Sequence, residues 1–381
     1  MKVVVIGGLH HNLLGVIRSL GEAGVQKNDI NVLIVGAKIP EKNIIAKSKY
    51  VRLFDVCETY NDILPWLLKL SKTDGIKRTV ICCSDGCSEA VISNADKLRD
   101  EYNIPETKIS ITDLMEKEYQ DDIARRCGLF VPEGALISDF KKISWNTFPY
   151  IIKPSKSIAG AGKADIRISN DKEELLANLQ GVKADAVQVQ RYIQKKMEFQ
   201  LIGCSLDGGG QIIIPGFTKI IRQPKNTNTG YLLYSPISSL KFDGVAVERF
   251  IKEIGYSGLF SMEFIRGEDD KDYFLEINMR NDGNAYCVKT AGVNLPYIWC
   301  CYQETGVIPN VKTEFETPIY FMPDYYDLSY GIHEKGILGW IHEFFGAKSH
   351  TLFNLKDMGP FIYETSRIMR RIIKRKLNHT K

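Results

Sequence analysis

Two short stretches decide the fold of this chain: FSMEF at residues 260–264 and FLEIN at residues 274–278. Each predicts an apolar strand that carries one carboxylate, and an unpaired charge inside such a strand is costly. The acidic turn between them predicts a hairpin with Glu263 beside Glu276, and Asn278 adds a third oxygen on the same face. Adjacent carboxylates repel unless a cation lies between them, and hard oxygen ligands favour Mg²⁺, with Mn²⁺ as the alternative. For either glutamate alone, a lysine partner at a strand edge is the simpler interpretation.

The composition is that of a globular protein with little net charge. Fifty Lys and Arg oppose 46 Asp and Glu, and the resulting charge of +4 does not predict nucleic-acid binding. Nine cysteines, with the adjacent pairs Cys82-Cys83 and Cys300-Cys301, fit neither a disulfide framework nor paired zinc knuckles, so a reducing cytoplasm is predicted. No run of about 18 apolar residues occurs, so a spanning helix is not predicted.

Residues 1–112 predict a parallel sheet with crossover helices, because strand-like and helix-like stretches alternate. The loop Ser84-Asp85-Gly86 follows one of these strands, and such loops at the carboxyl ends of parallel strands form the ligand crevice. We therefore expect this loop to face a ligand. The predicted strands are 3–6, 31–35 and 79–83, and the predicted helices are 13–23, 63–70 and 89–102.

Residues 113–310 have a different pattern, in which short strands follow one another with turns between them, as in an antiparallel sheet. A charged helix is predicted at 113–127. A strand at 150–154 contains Lys153 and leads into a stretch rich in Ser, Ala and Gly at 155–163, which predicts a hairpin. The further predicted strands are 164–168, 187–193, 199–206, 211–215, 258–265 and 273–277.

The last segment, residues 311–381, is aromatic-rich and ends in a basic stretch at 365–377. At helical spacing this stretch has an apolar face and a basic face, which is typical of a helix at a membrane surface. A terminal helix that docks on the protein through its apolar stripe has the same pattern, so both interpretations stay open. The basic residues are Arg367, Arg370, Arg371, Lys374, Arg375 and Lys376.

The hairpin and its continuation to Arg280 resemble the metal-binding hairpin of the ATP-grasp superfamily, and the similarity extends over residues 1–310. The N-terminal segment is similar to the carbamoyl-phosphate-synthase-like and D-aspartate ligase-like branch. The resemblance implies an α/β protein with the ATP-grasp fold, in which two α+β subdomains sandwich ATP. Its implied parts are a Rossmann-like pre-ATP-grasp domain at 1–112, an ATP-grasp domain at 113–310 with a small lid at 150–190, and a C-terminal extension at 311–381.

The resemblance also implies roles for the residues of the hairpin. In this family ATP phosphorylates a carboxylate to an acyl phosphate, which an amine or another nucleophile then attacks. Glu263, Glu276 and Asn278 would hold the magnesium ions at the ATP phosphates. Arg280 would stabilise the transferring phosphoryl group, since Arg presents a fixed fork of donors to phosphate oxygens.

Two lysines and a loop resemble the parts of the family that contact the nucleotide phosphates. Lys153 is similar to the lysine that reaches the phosphates, and the loop that contains Ser157, Gly160 and Gly162 would close over them. Lys117 is similar in position to an earlier nucleotide-contacting lysine. For Lys117 a solvated helix face is the alternative, because acidic residues flank it.

The stretch 187–193 resembles the strand and hinge that grip adenine, with backbone groups of Arg191, Tyr192 and Ile193 at the base edge. Family members commonly carry Glu where Gln190 stands, so an amide oxygen is implied for the adenine amino contact. Glu198 resembles the acidic residue that binds the ribose hydroxyls. A surface glutamate beside two lysines is the alternative.

Lys219 and Arg222 lie in the stretch that in the family often faces the acceptor carboxylate or the acyl phosphate, and a basic strand edge is the alternative. The run 281–285 departs from the family's usual continuation, which leaves acceptor specificity open. Asp282 and Asn284 could bind an amino acid or simply form the turn.

Together these features predict an ATP-dependent carboxylate-amine ligase that forms an acyl phosphate and then an amide and releases ADP and phosphate. Its predicted partners are a small carboxylate and an amine acceptor, such as an amino acid or a cell-envelope or polysaccharide precursor, and an oligomer is compatible with the sequence. If the basic tail binds lipid, the inner face of the membrane is a second location. The alternatives are a non-catalytic nucleotide-binding regulator and a peripheral membrane adaptor that acts through the tail.

Overall fold

A parallel sheet of five strands forms the N-terminal part of the computed structural model, as the alternating pattern predicts. Its elements are β1 (Val3–Gly7), α1 (His11–Glu22), β2 (Ile30–Val35), β3 (Phe54–Cys57), α2 (Ile63–Asp74), β4 (Arg78–Cys82), α3 (Asp85–Ile92), α4 (Ala95–Leu98) and β5 (Tyr102–Asn103). The strand order is β3-β2-β1-β4-β5, and the pairings are parallel. Val3 and Val5 pack in one apolar cluster and Val4 and Ile6 in another, so helices cover both faces of this sheet.

The structure describes residues 1–136, 147–154, 166–180, 187–224 and 229–379. Within them, two predicted helices differ from the prediction. The helix predicted at 89–102 is instead α3 and α4, because Ser84 caps a helix that begins at Asp85: its hydroxyl accepts from the Cys87 N–H at 3.4 Å. The helix predicted at 113–127 is instead α5 (Ile111–Leu114) and α6 (Lys117–Cys127).

A four-stranded antiparallel sheet follows. Its elements are β6 (Gly134–Leu136), β7 (Tyr150–Pro154), β8 (Arg167–Ser169), α7 (Lys172–Gln180) and β9 (Val187–Arg191). The strand order is β6-β9-β7-β8. Tyr150 lies opposite Ser169, so the predicted hairpin of β7 and β8 is confirmed, while the stretch 155–163 lies outside the described residues.

A seven-stranded sheet forms the largest layer, in the order β14-β13-β10-β11-β12-β15-β16. The predicted strand 211–215 continues to Arg222, although proline lacks a ladder donor. Pro215 is tolerated because it lies in a bulge of β11: Ile202 pairs with Gly216 and Cys204 with Ile213, so Ile214 and Pro215 together face the one residue between them on β10. The elements are β10 (Lys195–Leu206), β11 (Gln211–Arg222), β12 (Tyr231–Pro236), α8 (Gly244–Ile254), β13 (Gly258–Gly267), β14 (Asp272–Asn278), α9 (Tyr286–Ala291), α10 (Leu295–Thr305), β15 (Ile319–Met322), α11 (Tyr325–Gly346), β16 (Ser349–His350) and α12 (Gly359–His379).

The C-terminal segment continues this sheet across the boundary predicted at residue 310. β15 pairs antiparallel with β12, and β16 pairs parallel with β15. Helix α11 bends at Gly336, whose φ of 71° interrupts the helical backbone, and its second half folds back. At Gly331 a Cβ atom would lie 2.4 Å from the Trp340 ring, so only glycine permits this close return.

A buried ion pair joins the C-terminal segment to the N-terminal sheet domain. Arg18 of α1 donates from Nε to the Asp357 carboxylate at 2.9 Å, and neither side chain is exposed by more than 1%. The same carboxylate accepts from the Ser48 hydroxyl and the Lys49 N–H, each at 2.8 Å. Because buried charges require such complete pairing, this contact fixes the position of the chain before α12.

Helix α12 confirms the helix predicted at 365–377 and extends it at both ends. Within the described ranges, no helix combines the length and the hydropathy that crossing a membrane requires.

Candidate active site

The predicted carboxylate pair lies in one row across the seven-stranded sheet. Glu276 is opposite Glu263, which confirms the predicted hairpin, and Glu263 is opposite Gln200. Asn278 Nδ2 lies 3.5 Å from Glu263 Oε1 and 3.4 Å from Glu276 Oε1, so the amide nitrogen, not the predicted oxygen, faces the carboxylates; Gln200 Nε2 lies 3.4 Å from Glu263 Oε1. Because side chains two residues apart share a face, these groups converge on one point of the sheet surface.

The two carboxylates occupy opposed electrostatic environments. Burial and then the charges of Glu276 and Asp282 raise the pKa of Glu263 well above its ordinary value. For Glu276, burial also acts to raise the pKa, but the attraction of Lys117 outweighs it, and the pKa is lowered. A divalent cation between them would remove the repulsion that raises the Glu263 pKa, so the two carboxylates fit magnesium, and the Asn278 side chain would join them through its oxygen rather than through the nitrogen that faces them here.

Helix α6 supplies three side chains to the site from one face. Lys117, Gln120 and Asp121 have the i, i+3, i+4 spacing of neighbours on a helix surface. Lys117 Nζ lies 3.0 Å from Glu276 Oε2, so the site carboxylate, rather than solvent alone, faces this lysine. The alternative that Lys117 lies on a solvated helix face is therefore not what the structure shows. The role of Lys117 toward a nucleotide stays a prediction.

Gln120 joins α6 to the edge of β14. The Ile277 N–H donates to Gln120 Oε1 at 2.9 Å, and Gln120 Nε2 donates to the Leu114 and Ile277 carbonyls at 2.7 and 3.3 Å. This buried amide therefore makes, at Ile277, the hydrogen bonds that a neighbouring strand would otherwise make to the edge of β14. It holds Lys117 and the carboxylate row in register.

Replacing Gln120 with leucine is expected to lower the free energy of unfolding by about 1–3 kcal/mol, because the buried Ile277 N–H loses its acceptor. Urea unfolding of the variant and the wild type measures the change. Gln26→Leu, at an exposed position, is the matched control and is expected to change stability by less than about 0.5 kcal/mol. Equal shifts for both variants would mean that the Gln120 bonds contribute nothing specific.

Lys153 and the two glutamines of β9 share one face of the four-stranded sheet. Lys153 lies opposite Gln188, and Gln188 and Gln190 each donate from Nε2 to the Asp121 carboxylate at 2.9 Å. Burial raises the pKa of Asp121 to about 6 despite the charge of Lys153. Burial and the charge of Lys117 lower the pKa of Lys153 to about 8. Since the Gln190 nitrogen faces Asp121, its amide oxygen is the atom left for the predicted adenine contact.

Arg280 is held between the N-terminal domain and the sheet. Its Nε donates to Asp85 at 3.1 Å, and its NH1 donates to Asp282 at 3.0 Å. Asp282 also accepts from Gln200 at 2.9 Å and from the Ser261 hydroxyl at 3.1 Å. Asp282 therefore organises the side of the carboxylate row next to Arg280, and it accepts from the Asn284 N–H at 2.7 Å, while a role of either residue toward an amino acid stays a prediction.

The predicted N-terminal loop does face the site, because Asp85 accepts from Arg280, although Ser84 is the cap and Asp85 and Gly86 are the first residues of α3. Three further bonds fix this interface. The Asn12 amide donates to the Cys83 and Asn281 carbonyls at 2.9 and 2.7 Å, and the Ser88 hydroxyl donates to the Met279 carbonyl at 2.7 Å. The parallel sheet thus presents its carboxyl edge to the segment around Arg280, as open α/β sheets do for their ligands.

The predicted adenine hinge keeps two of its N–H groups for the protein itself. The Arg191 N–H donates to the Glu133 carbonyl at 2.7 Å, and the Tyr192 N–H donates to the Pro149 carbonyl at 2.8 Å. A base contact in this stretch is left to Ile193 and to carbonyl groups. Glu198 is paired with Lys195 at 2.6 Å on a partly exposed strand, and its ribose role stays a prediction.

The structure places Lys219 and Arg222 in different surroundings, and their predicted acceptor role stays a prediction. Lys219 is exposed and lies opposite Phe199, whose ring packs on the other face of the sheet from Gln200. Arg222 is buried and makes a two-pronged bond with Asp327 at 3.0 and 2.6 Å. It also contacts Glu343 at 2.8 Å, so α11 supplies its carboxylate partners. Arg222 therefore attaches α11 to the sheet.

Ser157, Gly160 and Gly162 lie outside the described residues, so their predicted phosphate contacts stay predictions. The sequence did not single out Asp121, Gln120 or Gln200 as part of the site. The spacing of Lys117 and Asp121, four residues apart on one helix, was the signal that could have placed Asp121 beside Lys117 in the site. Among the described residues, no group of three or more His, Cys, Asp and Glu side chains is placed to hold a metal ion.

The five-stranded parallel sheet brings Asp85 to the hairpin of Glu263 and Glu276, and the smaller antiparallel sheet carries lysine and glutamine side chains. This architecture is the ATP-grasp fold. The chain has this fold. No protein-family model matches it. Over 191 residues it is 31% identical to the 2-oxoglutarate carboxylase small subunit of Hydrogenobacter thermophilus, a match that covers 45% of this chain and 39% of that protein. The chain thus spans less than half of that relative.

Solved structures with the same fold include carboxylases and ligases. The biotin carboxylase domain dimer of the Hydrogenobacter thermophilus 2-oxoglutarate carboxylase, in complex with MgADP, ADP and bicarbonate, matches with a TM-score of 0.65 at 18% identity. That match covers 84% of this chain and 73% of the domain. An L-amino acid ligase from Bacillus licheniformis matches with a TM-score of 0.59 at 14% identity, covering 80% of this chain and 74% of the ligase.

Proposed function

We propose that this protein is an ATP-dependent carboxylate-amine ligase with magnesium as its cofactor. The observation that carries the proposal is the in-register pair Glu263 and Glu276. Lys117 of α6 contacts Glu276, and Lys153 of β7 lies near enough for both carboxylates to act on its pKa. Carboxylates in this arrangement need a cation, and lysines beside them would repel a bare cation site but suit one that also holds phosphate oxygens. Magnesium bound by ATP phosphates meets both requirements.

The proposed reaction has two steps. A carboxylate oxygen of the substrate attacks the γ-phosphorus of ATP, which forms an acyl phosphate and breaks the bond to the leaving ADP. The nitrogen of an amine then attacks the carbonyl carbon, phosphate leaves, and the amine loses a proton. Magnesium supplies charge neutralisation at the phosphate oxygens, and no side-chain nucleophile is required.

The residues of the site take distinct parts in this reaction. Glu263, Glu276 and Asn278 hold magnesium, while Lys117 and Lys153 face the phosphates. Arg280 already donates to two carboxylates, so Asp85 and Asp282 orient its guanidinium in advance toward the transferring group. Such preorganised donors are the main source of rate in phosphoryl transfer.

The test is an assay of ADP and phosphate release by the purified protein with MgATP and a panel of small carboxylates and amines. Bicarbonate belongs in the panel, because the 31%-identical relative is a carboxylase subunit. We expect ADP release only when a carboxylate is present, and hydroxylamine in place of the amine should trap the acyl phosphate as a hydroxamate. MgATP binding without ADP release for any member of the panel would favour the regulator instead.

The adaptor alternative makes the opposite prediction about the C-terminal tail and about Glu276. If the protein acted only through its tail, deletion of the residues after Glu364 would abolish its function and Glu276→Gln would be harmless. For the ligase, the deletion should leave turnover of small substrates unchanged, and Glu276→Gln should remove it. Turnover of both variants with the same substrate pair distinguishes the two.

A further inference from the structure

Up to Lys374, the last residue of α12 whose side chain the structure describes, the helix makes its aromatic and hydroxyl contacts with the protein through its first turns. The Phe361 ring stacks on Tyr325 with centroids 5.6 Å apart and lies 5.3 Å from the Phe353 ring, and the Thr365 hydroxyl bonds to the Tyr325 hydroxyl. Beyond Thr365, Ile368 is half-buried and the next three apolar side chains are exposed. Met369 and Ile373 are each 53% exposed, and Ile372 is 45% exposed. Docking through the apolar stripe, one of the two open interpretations, therefore accounts only for the first turns.

The exposed part of α12 has two faces. At about 3.6 residues per turn, Met369, Ile372 and Ile373 lie on one arc of the helix, and Arg370, Arg371 and Lys374 lie on the opposite arc. All six side chains are exposed. No acidic residue occurs in the sequence 365–377, and the preceding Glu364 is paired with Arg367 at 2.7 Å.

The second half of α11 presents a further uncovered apolar face. Leu338, Ile341 and Phe345 follow one another at helical spacing and are 82%, 40% and 72% exposed. The buried face of the same half-helix carries Phe344, whose ring lies 6.2 Å from Phe361 of α12. Both exposed faces therefore emerge from one aromatic cluster.

We propose that these two faces form a C-terminal surface that binds the interface of an anionic lipid bilayer. The C-terminal surface consists of Leu338, Ile341, Phe345, Met369, Arg370, Arg371, Ile372, Ile373 and Lys374. Apolar side chains flanked by arginine and lysine, on helices too polar to cross the membrane, are the composition of interfacial anchors. The aromatic cluster and the buried Arg222 ion pairs hold the α11 part rigidly on the sheet.

Charge decides between a bilayer and a second copy of the chain. Two copies that met through this surface would bring Arg370, Arg371 and Lys374 near the same cations of the partner, which is unfavourable. Anionic headgroups neutralise these cations while the acyl boundary takes the apolar side chains. The single carboxylate in the second half of α11, Glu343, is occupied by Arg222 and does not oppose this attraction.

The test is flotation of the full-length protein with vesicles of phosphatidylcholine alone and with vesicles that also contain phosphatidylglycerol. We expect binding to the anionic vesicles only, with a decrease as salt is raised. Arg370→Ala with Arg371→Ala should weaken binding roughly thirtyfold, from the usual contribution of each basic residue at an anionic surface. Ile372→Glu with Ile373→Glu, and Leu338→Glu with Phe345→Glu, should each weaken it at least about tenfold.

Leu53→Glu is the matched control, because Leu53 is an exposed leucine of the N-terminal domain and should leave vesicle binding unchanged. All variants should keep the wild-type unfolding temperature, since the replaced side chains are exposed. The proposal is overturned if wild type does not bind anionic vesicles, or if any of the three double variants binds as wild type does. Self-association or capture of an acidic protein that the same variants abolish, without vesicle binding, would also overturn it. The measurement uses no substrate, so its outcome is independent of the proposed ligase reaction.

Discussion

Glu276→Gln is expected to lower the rate of ADP release by about a hundredfold to a thousandfold, the usual effect of removing one group that stabilises transition-state charge. The glutamine keeps the size of the side chain but loses the charge that faces Lys117 at 3.0 Å and the proposed magnesium. Steady-state kinetics at saturating MgATP measure the effect. Because the interaction is strongest when charge develops on the phosphate oxygens, kcat should fall more than KM changes.

Glu268→Gln is the control for this variant, since Glu268 is an exposed glutamate in the turn of the same hairpin. It should retain wild-type turnover. Thermal unfolding of Glu276→Gln should remain cooperative, which separates loss of chemistry from loss of fold. Full activity in Glu276→Gln would remove the carboxylate row from the mechanism and, with it, the observation on which the ligase proposal rests.

Asp357→Ala is expected to lower the free energy of unfolding by about 3–5 kcal/mol, because it leaves the Arg18 guanidinium buried without its counter-charge. Equilibrium urea unfolding at constant pH measures the change. The double variant Arg18→Met with Asp357→Leu should be clearly less destabilised than Asp357→Ala, since an apolar pair leaves no uncompensated charge.

Asp29→Ala provides the comparison at the surface, where Lys2 and Asp29 form a partly exposed pair 2.6 Å apart. Exposed pairs contribute little, so the expected change is below about 1 kcal/mol. A loss for Asp357→Ala as small as that for Asp29→Ala would show that the C-terminal segment is not held by this ion pair.

The hairpin of Glu263 and Glu276 could be predicted because its signal is local. Two glutamates in apolar strands separated by one acidic turn fix their own register, and the structure pairs them as expected. The same locality explains why the parallel sheet was predicted correctly, since each strand and the helix after it show their periodicity within a short stretch. The loop at Asp85 followed from a general rule of such sheets rather than from a specific motif.

The supporting contacts could not be predicted, because their partners are distant in sequence and their residue types are ordinary. Gln120 contacts Ile277, 157 residues further along the sequence, and Arg18 contacts Asp357, 339 residues further along. Arg222 illustrates the same limit: its position suggests an acceptor contact, which stays a prediction, while its observed partners on α11 lie beyond the region that the family resemblance covers. An arginine in a strand carries no local sign of whether its carboxylate belongs to a substrate or to the protein.

Strand β15 has a practical consequence for exchanging parts between homologous enzymes. Leu232, Leu233 and Tyr234 of β12 pair with Phe321, Tyr320 and Ile319, so a chimera joined at residue 310 must recreate an unfamiliar strand interface. A crossover placed after Met322 preserves that interface, but the incoming helices must then still accommodate Arg222. Recombination of this fold is therefore constrained by the Arg222 guanidinium, which any donor sequence has to neutralise.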